Sequence, residues 1–349
     1  MCAKSGNALL TKAKSAKKDE FYTQLCDIER EVVHYREHFR GKTVLCNCDD
    51  PRVSNFFHYF SYNFEFLGLK KLISICYKNQ NRDLFSTKST ERAIWLEYNG
   101  DKNGNRVPDP EEIGIHYLEG DGDFRKEDSI KLLAQSDIVV TNPPFSLFRE
   151  FVAQLVKYEK KFLIIGNVNA VKYKEIFPLI KDGKLWLGCS IHSGDREFGV
   201  PEDYPLEAAS CRVDEHGKKY IRVKGVRWFT NLDYRERHED MILFRKYDPE
   251  LYPKYENYDA IEVGKTADIP CDYDGVMGVP LTFMDKFNPL QFELIGIAEG
   301  DSGKALGLRP YDRALKKLNP SLRDGQLYYI KEGKPIKPFD RILIRRRSK

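Results

Sequence analysis

The stretch KTVLCNCDDPRVSNFFHYFSYNFEFLGLKKLISICY, residues 42–77, decides the fold class. It begins with an apolar run at residues 42–48 and ends with another at residues 71–77, and both have the composition of buried strands. Between them, Asp50 suits the N-cap of a helix, and Pro51 suits the first helical position because it has no N–H to leave unpaired. The order strand, tight turn, helix, strand predicts the opening of a doubly wound parallel sheet.

An aromatic stripe lies between the two predicted strands. Apolar residues recur there at the spacing of one helix face, namely Phe56, Phe60, Phe64 and Leu67. Gly68 follows the stripe, and glycine commonly ends a helix because it adopts the left-handed conformation without strain. We interpret the stripe as the buried face of a helix that ends at Gly68.

Strands and helices alternate further along the chain, which predicts an α/β fold. Apolar runs predict strands at residues 92–98, 113–120, 137–140, 161–166 and 184–188. Helical spacing predicts helices at residues 146–158 and 170–180. After Gly188, β-like runs follow at residues 219–229 and 241–247, and residues 247–285 are rich in Tyr, Pro, Gly and Asp. This later part indicates a smaller β-rich or α+β module.

The composition suits one large domain and a smaller one. The chain has 349 residues, of which 41% are hydrophobic, and a formal net charge of +4. Basic residues crowd both termini, and these tails are either solvated or in contact with phosphates. They are Lys4, Lys12, Lys14, Lys17 and Lys18 at one end and Arg345, Arg346, Arg347 and Lys349 at the other.

The chain has the features of a cytoplasmic protein. Its start, MCAKSGNALL, lacks the apolar core of a signal peptide, and no stretch has the length of a membrane-spanning helix. The eight cysteines are scattered, so we expect reduced thiols. The one close pair, Cys46 and Cys48, lacks the spacing of a zinc site, and no metal is expected.

The turn after residues 42–48 is the first candidate site, because ligands of an open α/β sheet bind beyond the carboxyl ends of its strands. The dinucleotide fingerprint GxGxxG is absent there, which argues against a cofactor bound through a pyrophosphate. Acidic, amide and hydroxyl side chains take its place: Asn47, Asp49, Asp50, Ser54 and Asn55. Such oxygens suit a positively charged, phosphate-free ligand such as S-adenosylmethionine, and helix capping explains the same residues equally well.

EGDGDF, residues 119–124, is the second candidate site. Asp121 and Asp123, on either side of Gly122, can accept hydrogen bonds from the amine of an adenine ring, and Phe124 offers a stacking surface. An ordinary Asp-Gly turn explains the same residues. Calcium is not expected here, because the spacing does not continue as a twelve-residue loop.

TNPPF, residues 141–145, is the third candidate site and follows the strand predicted at residues 137–140. The exocyclic amine of a base is planar because its lone pair is delocalised, and acceptors at fixed positions restore a nucleophilic lone pair by bonding both N–H groups. The Asn142 side-chain oxygen and the Pro143 carbonyl are such acceptors, and the two prolines, Pro143 and Pro144, hold them rigidly. A base can stack on Phe145. We interpret this stretch as an amine pocket, the alternative being a rigid turn.

These stretches resemble the EcoRI-type family of adenine-specific DNA methyltransferases. NPPF matches the catalytic motif of enzymes that methylate the N6 amine of adenine. The other matching stretches are KKDEFYTQLCDIE (17–29), VLCNCDDPRVSNFFHYF (44–60), EGDGDF (119–124), DIVVTNPPFSLFREFVAQL (137–155), YPKYENYDAIEV (252–263) and IPCDYDGVMGVPLTFMDKFNPLQFELIG (269–296). Together they span most of the chain.

The resemblance implies an α/β fold with a Rossmann-like, doubly wound methyltransferase sheet. It places the catalytic domain at residues 1–235, with an N-terminal cofactor segment at residues 1–40. Residues 236–349 would form the smaller, β-rich or α+β target-recognition region.

The resemblance also implies roles for particular residues. Phe21, Tyr22 and Thr23 would lie near the methionine end of S-adenosylmethionine. CNCDDP, which includes Pro51, would replace the more common glycine-rich cofactor loop, and residues 121–124 would lie against the adenosine. Residues 142–145 would form the pocket for the target adenine. The sequence departs from the pattern of many methyltransferases at the residue that binds the cofactor ribose. Their second strand ends in an acidic residue, whereas this one ends in ICYKNQ.

The sequence therefore predicts a site-specific DNA adenine-N6 methyltransferase that flips its target base out of the duplex. It would serve a restriction-modification system or a phage or mobile element, with double-stranded DNA and, in the first case, a cognate endonuclease as partners. The alternatives are methylation of RNA adenine, of cytosine N4 or of protein glutamine, or an inactive nucleic-acid-binding relative. Whether the protein is a monomer or a dimer stays open. Candidate base-reading residues, which solvation or structure explains equally well, are Arg222, Lys224, Arg227, Arg235 and Arg237.

Overall fold

Two compact units make up the chain. The first comprises Met1–Ile180 and Lys184–Tyr234, and the second comprises Lys181–Gly183 and Arg235–Lys349. The computed structural model describes residues 21–48, 54–75, 93–192, 194–200, 204 and 211–347. Within these residues each unit has sheets and an apolar core of its own.

An eight-stranded sheet is the centre of the first unit. Its strands are β2 (Thr43–Asn47), β3 (Lys71–Ile75), β4 (Ile94–Tyr98), β5 (Ile113–Tyr117), β6 (Ile138–Thr141), β7 (Lys161–Asn167), β8 (Trp186–Leu187) and β12 (Val226–Thr230). They are arranged in the order β5-β4-β3-β2-β6-β7-β12-β8. Strands β2 and β6 are buried along their whole length, as expected of strands covered on both faces.

The middle of this sheet is parallel. β2 pairs in parallel with β3 on one side and with β6 on the other, and β6 pairs in parallel with β7. The chain therefore winds in both directions from β2, so that the carboxyl ends of β2 and β6 lie side by side. Antiparallel pairs complete both edges, β4 with β5 and β12 with β8. The predicted α/β class is confirmed.

Helices connect these strands. They are α1 (Leu25–Val32), α2 (Arg36–Phe39), α3 (Asn55–Tyr62), α4 (Phe64–Leu67), α5 (Glu127–Gln135), α6 (Phe148–Lys157) and α7 (Phe177–Lys181), and α8 (Gly300–Ala305) follows in the second unit. Short 3-10 helices add turns at Val33–Tyr35, Phe145–Leu147 and Val168–Lys172. None of the helices in the described ranges has the length and apolar character needed to cross a membrane.

The aromatic helix follows the prediction at its end and departs from it at its start. Gly68 caps α4 in the left-handed conformation, with φ at 64°, as predicted. The helix begins at Asn55, however, with Ser54 at the N-cap position, later than the predicted start at Asp50. Asp50 and Pro51 themselves lie outside the described residues. The predicted helix at residues 170–180 is also interrupted, since a turn separates the 3-10 helix Val168–Lys172 from α7.

Two β-like runs in the later part of the chain have different outcomes. The β-like run at residues 219–229 includes most of β12, which pairs with β7 in the large sheet of the first unit. The β-like run at residues 241–247 differs from the prediction. The run at residues 241–247 forms no strand and has one isolated bridge, from Arg245 to Pro270. The main-chain N–H groups of Met241 and Tyr247 instead donate to the side chains of Gln291 and Asp272.

A second, four-stranded sheet in the first unit carries the N-terminal strand. Its members are β1 (Tyr22–Thr23), β9 (Asp195–Val200), β10 (Cys211–Val213) and β11 (Lys219–Lys224), in the order β1-β9-β11-β10. β1 pairs antiparallel with β9, so Tyr22 lies opposite Gly199 and Thr23 opposite Phe198. This pairing fixes the position of the segment that the sequence assigned to the cofactor.

Two carboxylates close the loop between β4 and β5. Asp101 accepts main-chain N–H groups from Gly104 and Arg106 at 2.6 and 2.7 Å. The Glu112 carboxylate is buried and accepts a hydrogen bond from the N–H of Lys102 at 2.6 Å. The oxygen-bearing side chains of this loop occupy positions 1, 3, 5, 9 and 12 of the EF-hand pattern, counted from Asp101. They are Asp101, Asn103, Asn105, Asp109 and Glu112. These hydrogen bonds order the loop that leads into β5.

The second unit is built on a four-stranded sheet and a hairpin. The sheet has the order β13-β14-β18-β15, and the hairpin pairs β16 with β17. The strands are β13 (Ile261–Glu262), β14 (Met277–Pro280), β15 (Phe292–Ile297), β16 (Tyr329–Lys331), β17 (Lys334–Ile336) and β18 (Arg341–Arg346). A buried ion pair crosses this sheet, since Arg341 on β18 bonds to Glu262 on β13 through two of its nitrogens.

Candidate active site

The ends of β2 and β6 are joined by side-chain hydrogen bonds. At the amino ends, the N–H of Thr43 donates to the Asp137 carboxylate at 2.8 Å, and the N–H of Asp137 donates back to the Thr43 carbonyl at 2.9 Å. At the carboxyl ends, the buried hydroxyl of Thr141 donates to the Asn47 carbonyl. The first predicted cofactor loop and the start of TNPPF are therefore held together at the point where the strand order reverses.

The N-terminal segment is tied to the same place. The Asn142 side-chain N–H donates to the Phe21 carbonyl at 2.6 Å, and the Asn55 side-chain N–H donates to the Thr23 carbonyl at 2.7 Å. Three stretches that are far apart in sequence thus meet at one site: residues 21–23, the end of β2 with the start of α3, and TNPPF. Asn55 contributes one side-chain N–H to this framework.

Three buried oxygens at this site have no hydrogen-bond partner among the described residues: Asn142 Oδ1, Asn47 Oδ1 and Thr23 Oγ1. The direction of the Asn142 amide is determined, because the Phe21 carbonyl can only accept and therefore requires the amide nitrogen. An unpaired buried polar atom costs about 1–3 kcal/mol, so native proteins rarely leave one unless a ligand completes it. These oxygens indicate a site for a ligand that carries N–H or O–H donors.

Side chains along β1 point in alternate directions. Phe21 and Thr23 are buried, and the Phe21 ring lies 5.8 Å from the Phe145 ring in an edge contact. Tyr22 lies on the opposite face over Gly199, where its Cβ is 3.4 Å from the position a glycine Cβ would take. Phe21 and Thr23 therefore lie at the site. The Tyr22 side chain lies on the other face, so its predicted proximity to the cofactor stays a prediction.

The two prolines lead directly into a tight turn. Asn142 and Pro143 are buried, and the Leu147 N–H donates to the Pro144 carbonyl at 2.9 Å, which starts the 3-10 helix Phe145–Leu147. The hydrogen bond of this turn is accepted by the Pro144 carbonyl, and the Pro143 carbonyl takes no part in it. Phe145 is half-buried at the edge of the core, so part of its ring stays accessible.

Cys48, directly after β2, has an unusual backbone conformation. Its φ of 103° lies in the region that favours glycine. Most open α/β nucleotide sites have a glycine in this turn, and here a cysteine adopts the same kind of conformation. Asp49, Asp50 and Pro51 follow outside the described residues, so their predicted cofactor contacts stay predictions.

Cys48→Gly is expected to be more stable than Cys48→Ala by about 1 kcal/mol, since only alanine keeps the strained Cβ. This order reverses the one expected at an ordinary extended position. Urea denaturation of both variants measures the difference. A more stable alanine variant would show that the turn carries no strain at this residue.

EGDGDF forms a tight turn whose acidic groups are engaged. The N–H of Asp123 donates to Asp121 at 3.1 Å, and Gly122 has a positive φ of 81°. Asp123 forms two hydrogen bonds with the Arg125 guanidinium, at 2.6 and 2.9 Å. Phe124 is 7% exposed and packs edge-on against Phe151, with ring centroids 5.0 Å apart. Asp121 therefore keeps more bonding capacity for an adenosine than Asp123, and Phe124 serves the core.

The Asp123–Arg125 pair predicts a pH effect. The hydrogen bond from Arg125 lowers the pKa of Asp123, so the pair stabilises the fold above the unfolded Asp pKa of about 3.9 and loses that effect as pH falls further. Arg125 is half exposed, so solvent screening limits the effect to below about 1 kcal/mol. We expect Arg125→Ala to lower the melting temperature slightly at pH 7, and the difference from the wild type to shrink as pH falls below about 3.9 and through the lowered pKa of Asp123. A difference that persists at low pH would contradict this assignment.

One candidate base-reading residue is structural. Arg227 is 4% exposed, and its guanidinium donates to the carbonyls of Val226 and His192 at 2.8 and 2.5 Å. Arg222 and Lys224 are exposed on β11, and Arg235 and Arg237 lie on an exposed 3-10 helix, Arg235–His238. The sequence alone does not separate these cases, because the burial of Arg227 arises from its place in the large sheet.

Glu31 on α1 supports the site and was missed in the sequence. This fully buried carboxylate accepts hydrogen bonds from the Tyr35 hydroxyl at 2.7 Å and from the N–H groups of Cys189 and Ser190 at 2.8 and 2.7 Å. It thereby holds the loop that leads into β9, the partner strand of β1. Helical spacing could have indicated its burial, since Glu31 lies on the helix face that carries apolar Ile28, Val32 and Tyr35.

Known proteins match this chain over most of its length. A family model described as adenine-specific methyltransferase EcoRI matches residues 9–347. Type II methyltransferase M.EcoRI of Escherichia coli is 53% identical over 322 residues, covering 91% of this chain and 98% of that protein. Type II methyltransferase M.MgeORF184P of Mycoplasma genitalium is 40% identical and M.MpnI of Mycoplasma pneumoniae is 41% identical, each over 81% of this chain and 84% of its own length. No solved structure matches the chain.

These matches place the chain among the adenine-specific methyltransferases, the class that the NPPF sequence also indicates. More particularly, the chain belongs to the EcoRI family of adenine-specific methyltransferases.

Proposed function

We propose that this protein is a site-specific DNA methyltransferase that transfers a methyl group from S-adenosylmethionine to the N6 amine of an adenine flipped out of duplex DNA. The observation that carries the proposal is the buried Asn142 Oδ1, which is oriented by the Phe21 carbonyl and has no partner among the described residues. An amine N–H is the donor that such an acceptor requires. Family membership supports the same substrate.

The chain's own residues activate the amine by position. Asn142 Oδ1 and the Pro143 carbonyl accept the two N–H groups, which draws the nitrogen lone pair out of conjugation with the ring. The prolines and the Thr141–Asn47 hydrogen bond fix these acceptors before the substrate binds, so little reorganisation is needed during the reaction. The base stacks on Phe145. As the nitrogen–methyl bond forms and the methyl–sulfur bond breaks, the nitrogen would become cationic and then lose one proton to solvent. Positioning and dipole placement would therefore supply the catalysis without a general base.

The cofactor fits the remaining acceptors. Asn47 Oδ1 and Thr23 Oγ1 are buried and have no partner in the described part of the chain, and they suit the ammonium and hydroxyl donors of S-adenosylmethionine. Asp49 and Asp50 would add carboxylates near the positive charge, and Asp121 would accept a hydrogen bond from the adenosine. When bound, S-adenosylmethionine supplies the electrophilic methyl group.

The domain roles follow from this assignment. Residues 1–235, with the cofactor segment 1–40 and a Rossmann-like sheet, would carry catalysis, and residues 236–349 would read the target sequence. The strand-order reversal at β2 supports the first assignment. The setting we propose is the cytoplasm of a bacterial or phage-infected cell, as part of a restriction-modification system or a mobile element.

Expression in a host without DNA methylation tests the proposal. Long-read sequencing of the host DNA is expected to show N6-methyladenine at one short motif, and an Asn142→Ala variant expressed to the same level is the matched control. N4-methylcytosine at a motif would overturn the base assignment. Unmodified DNA together with methylated RNA would overturn the DNA assignment.

Phe145→Ala is expected to raise the KM for DNA and lower kcat/KM by roughly tenfold to hundredfold, since base stacking contributes about 1–3 kcal/mol. Phe145→Tyr keeps the stacking face and should stay within about threefold of the wild type. Steady-state kinetics with a duplex substrate measures both. Equal losses in the two variants would show that packing against Phe21, rather than stacking of the base, explains the role of Phe145.

A further inference from the structure

One short segment of the second unit is strongly basic. Residues 313–337 contain seven Lys or Arg and two Asp or Glu, a net charge of +5. The two chain ends are basic as well, but this segment lies within the folded unit. A folded segment with this charge suits a polyanionic partner.

This segment is folded and directs its charges outward. The 3-10 helix Arg313–Lys317 and the hairpin of β16 and β17 are joined by a hydrogen bond from the Asn319 side chain to the Pro335 carbonyl at 3.0 Å. Its residues Leu315, Leu322 and Tyr328 form a small apolar cluster with Tyr311, which precedes the segment. The basic side chains are exposed, apart from the partly buried Lys337.

The lysines of the hairpin repel one another. Lys331 and Lys334 lie directly opposite across its turn, and like charges in that arrangement destabilise a hairpin. Neither lysine forms a salt bridge with the described residues, whereas Arg313 pairs with Asp324 at 2.7 Å. Uncompensated like charges in register have no structural benefit, and they suit the phosphates of a nucleic acid backbone.

A rigidly presented aromatic ring adjoins the hairpin. Phe339 follows β17 and is 91% exposed, and its carbonyl accepts a hydrogen bond from Arg341 at 3.2 Å. Arg341 is itself fixed by Glu262, and both side chains are less than a tenth exposed. The main chain at Phe339 is thus tied to a buried ion pair, and the exposed ring is available for stacking against a base or insertion at a base step.

We propose that residues 313–337 and Phe339, together the basic ridge, form a DNA-binding surface of the second unit. The lysines contact phosphates and Phe339 contacts the bases. This inference rests on the proposed function, because duplex DNA is the polyanion that the enzyme must hold. The basic ridge belongs to the second unit, whereas the candidate base-reading residues Arg222, Lys224 and Arg227 belong to the first.

Fluorescence anisotropy with a short labelled duplex tests the charged part of the ridge. The double variant Lys331→Gln/Lys334→Gln is expected to reduce the slope of log Kd against log salt by about 1.8 between about 50 and 200 mM, because each phosphate contact contributes about 0.9. The control Lys254→Gln/Lys265→Gln makes the same charge change at exposed sites of the same unit and should keep the wild-type slope.

Phe339→Ala tests the aromatic part. It is expected to weaken DNA binding roughly tenfold to hundredfold without changing the salt slope, while Leu290→Ala, at another highly exposed apolar residue, should bind as the wild type does. Thermal stabilisation by S-adenosylmethionine, measured on every variant, shows that the fold and the cofactor site are intact.

Wild-type slope and affinity in both ridge variants would overturn the inference and assign the ridge to another partner, such as an acidic protein. If the wild-type protein nevertheless methylates DNA, the proposed function is retained and only the assignment of the ridge is wrong. A wild-type protein that neither binds nor methylates DNA would overturn both.

Discussion

Asn142→Ala is expected to lower kcat for methyl transfer by about 10³-fold, equivalent to about 4 kcal/mol of transition-state stabilisation. The substitution removes the oxygen that accepts the amine N–H and also the N–H that holds the Phe21 carbonyl at 2.6 Å. The affinity for S-adenosylmethionine, measured by calorimetry, should change less than about tenfold, because its proposed acceptors, Asn47 and Thr23, are retained. Single-turnover kinetics at saturating cofactor measures the chemical step.

Asn55→Ala is the matched control for Asn142→Ala. It also removes one side-chain hydrogen bond to β1, that to the Thr23 carbonyl at 2.7 Å, but leaves the amine acceptors in place. We expect weaker cofactor binding with a chemical step within about tenfold of the wild type, since a single hydrogen bond contributes about 1 kcal/mol. If both variants lost kcat equally, anchoring of β1 would explain the role of Asn142.

Arg341→Ala is expected to destabilise the second unit by about 3–5 kcal/mol. The guanidinium bonds to the Glu262 carboxylate through two nitrogens, and both side chains are less than a tenth exposed, so its removal leaves a buried charge without its partner. The Tyr255 hydroxyl also donates to Glu262, and burial followed by that carboxylate raises the pKa of Tyr255 well above its ordinary value. Tyr255 therefore stays a neutral donor and cannot replace the lost cation.

Two controls separate burial from charge in this prediction. Arg313→Ala breaks a pair whose side chains are 65% and 30% exposed, and it should cost less than about 1 kcal/mol. The double variant Glu262→Leu/Arg341→Met replaces the buried pair with apolar groups and should recover most of the loss. Chemical denaturation followed by far-ultraviolet circular dichroism measures all three. Tryptophan fluorescence gives a separate signal for the first unit, which contains the three tryptophans, Trp95, Trp186 and Trp228.

The parts of the fold that the sequence predicted are those governed by local pattern. Apolar runs located β2, β3, β6 and β7. Gly68 located the end of a helix, because glycine adopts the left-handed conformation of that turn without strain. The pairing of β12 with β7 was not predictable from the run at residues 219–229, since strand order depends on contacts between distant segments. The run at residues 241–247 has the composition of a strand, yet Ile242 and Phe244 are 86% and 65% exposed.

The site was predictable in its residue types and less so in its geometry. TNPPF indicated an amine pocket, but the partner that orients Asn142 is the Phe21 carbonyl, 121 residues away. Local pattern likewise did not show that Asp123 would bond to Arg125, or that Glu31 would be buried beneath the loop at Cys189. Residue identity indicates chemical capacity, whereas the choice of partner is made by tertiary packing.

Nucleoside mass spectrometry tests the central claim most directly. Purified protein is incubated with unmethylated plasmid DNA and isotopically labelled S-adenosylmethionine, and the DNA is then digested to nucleosides. We expect labelled N6-methyladenine with the wild type and none above background with Asn142→Ala. Labelled N4-methylcytosine, or equal N6-methyladenine from the two proteins, would contradict it.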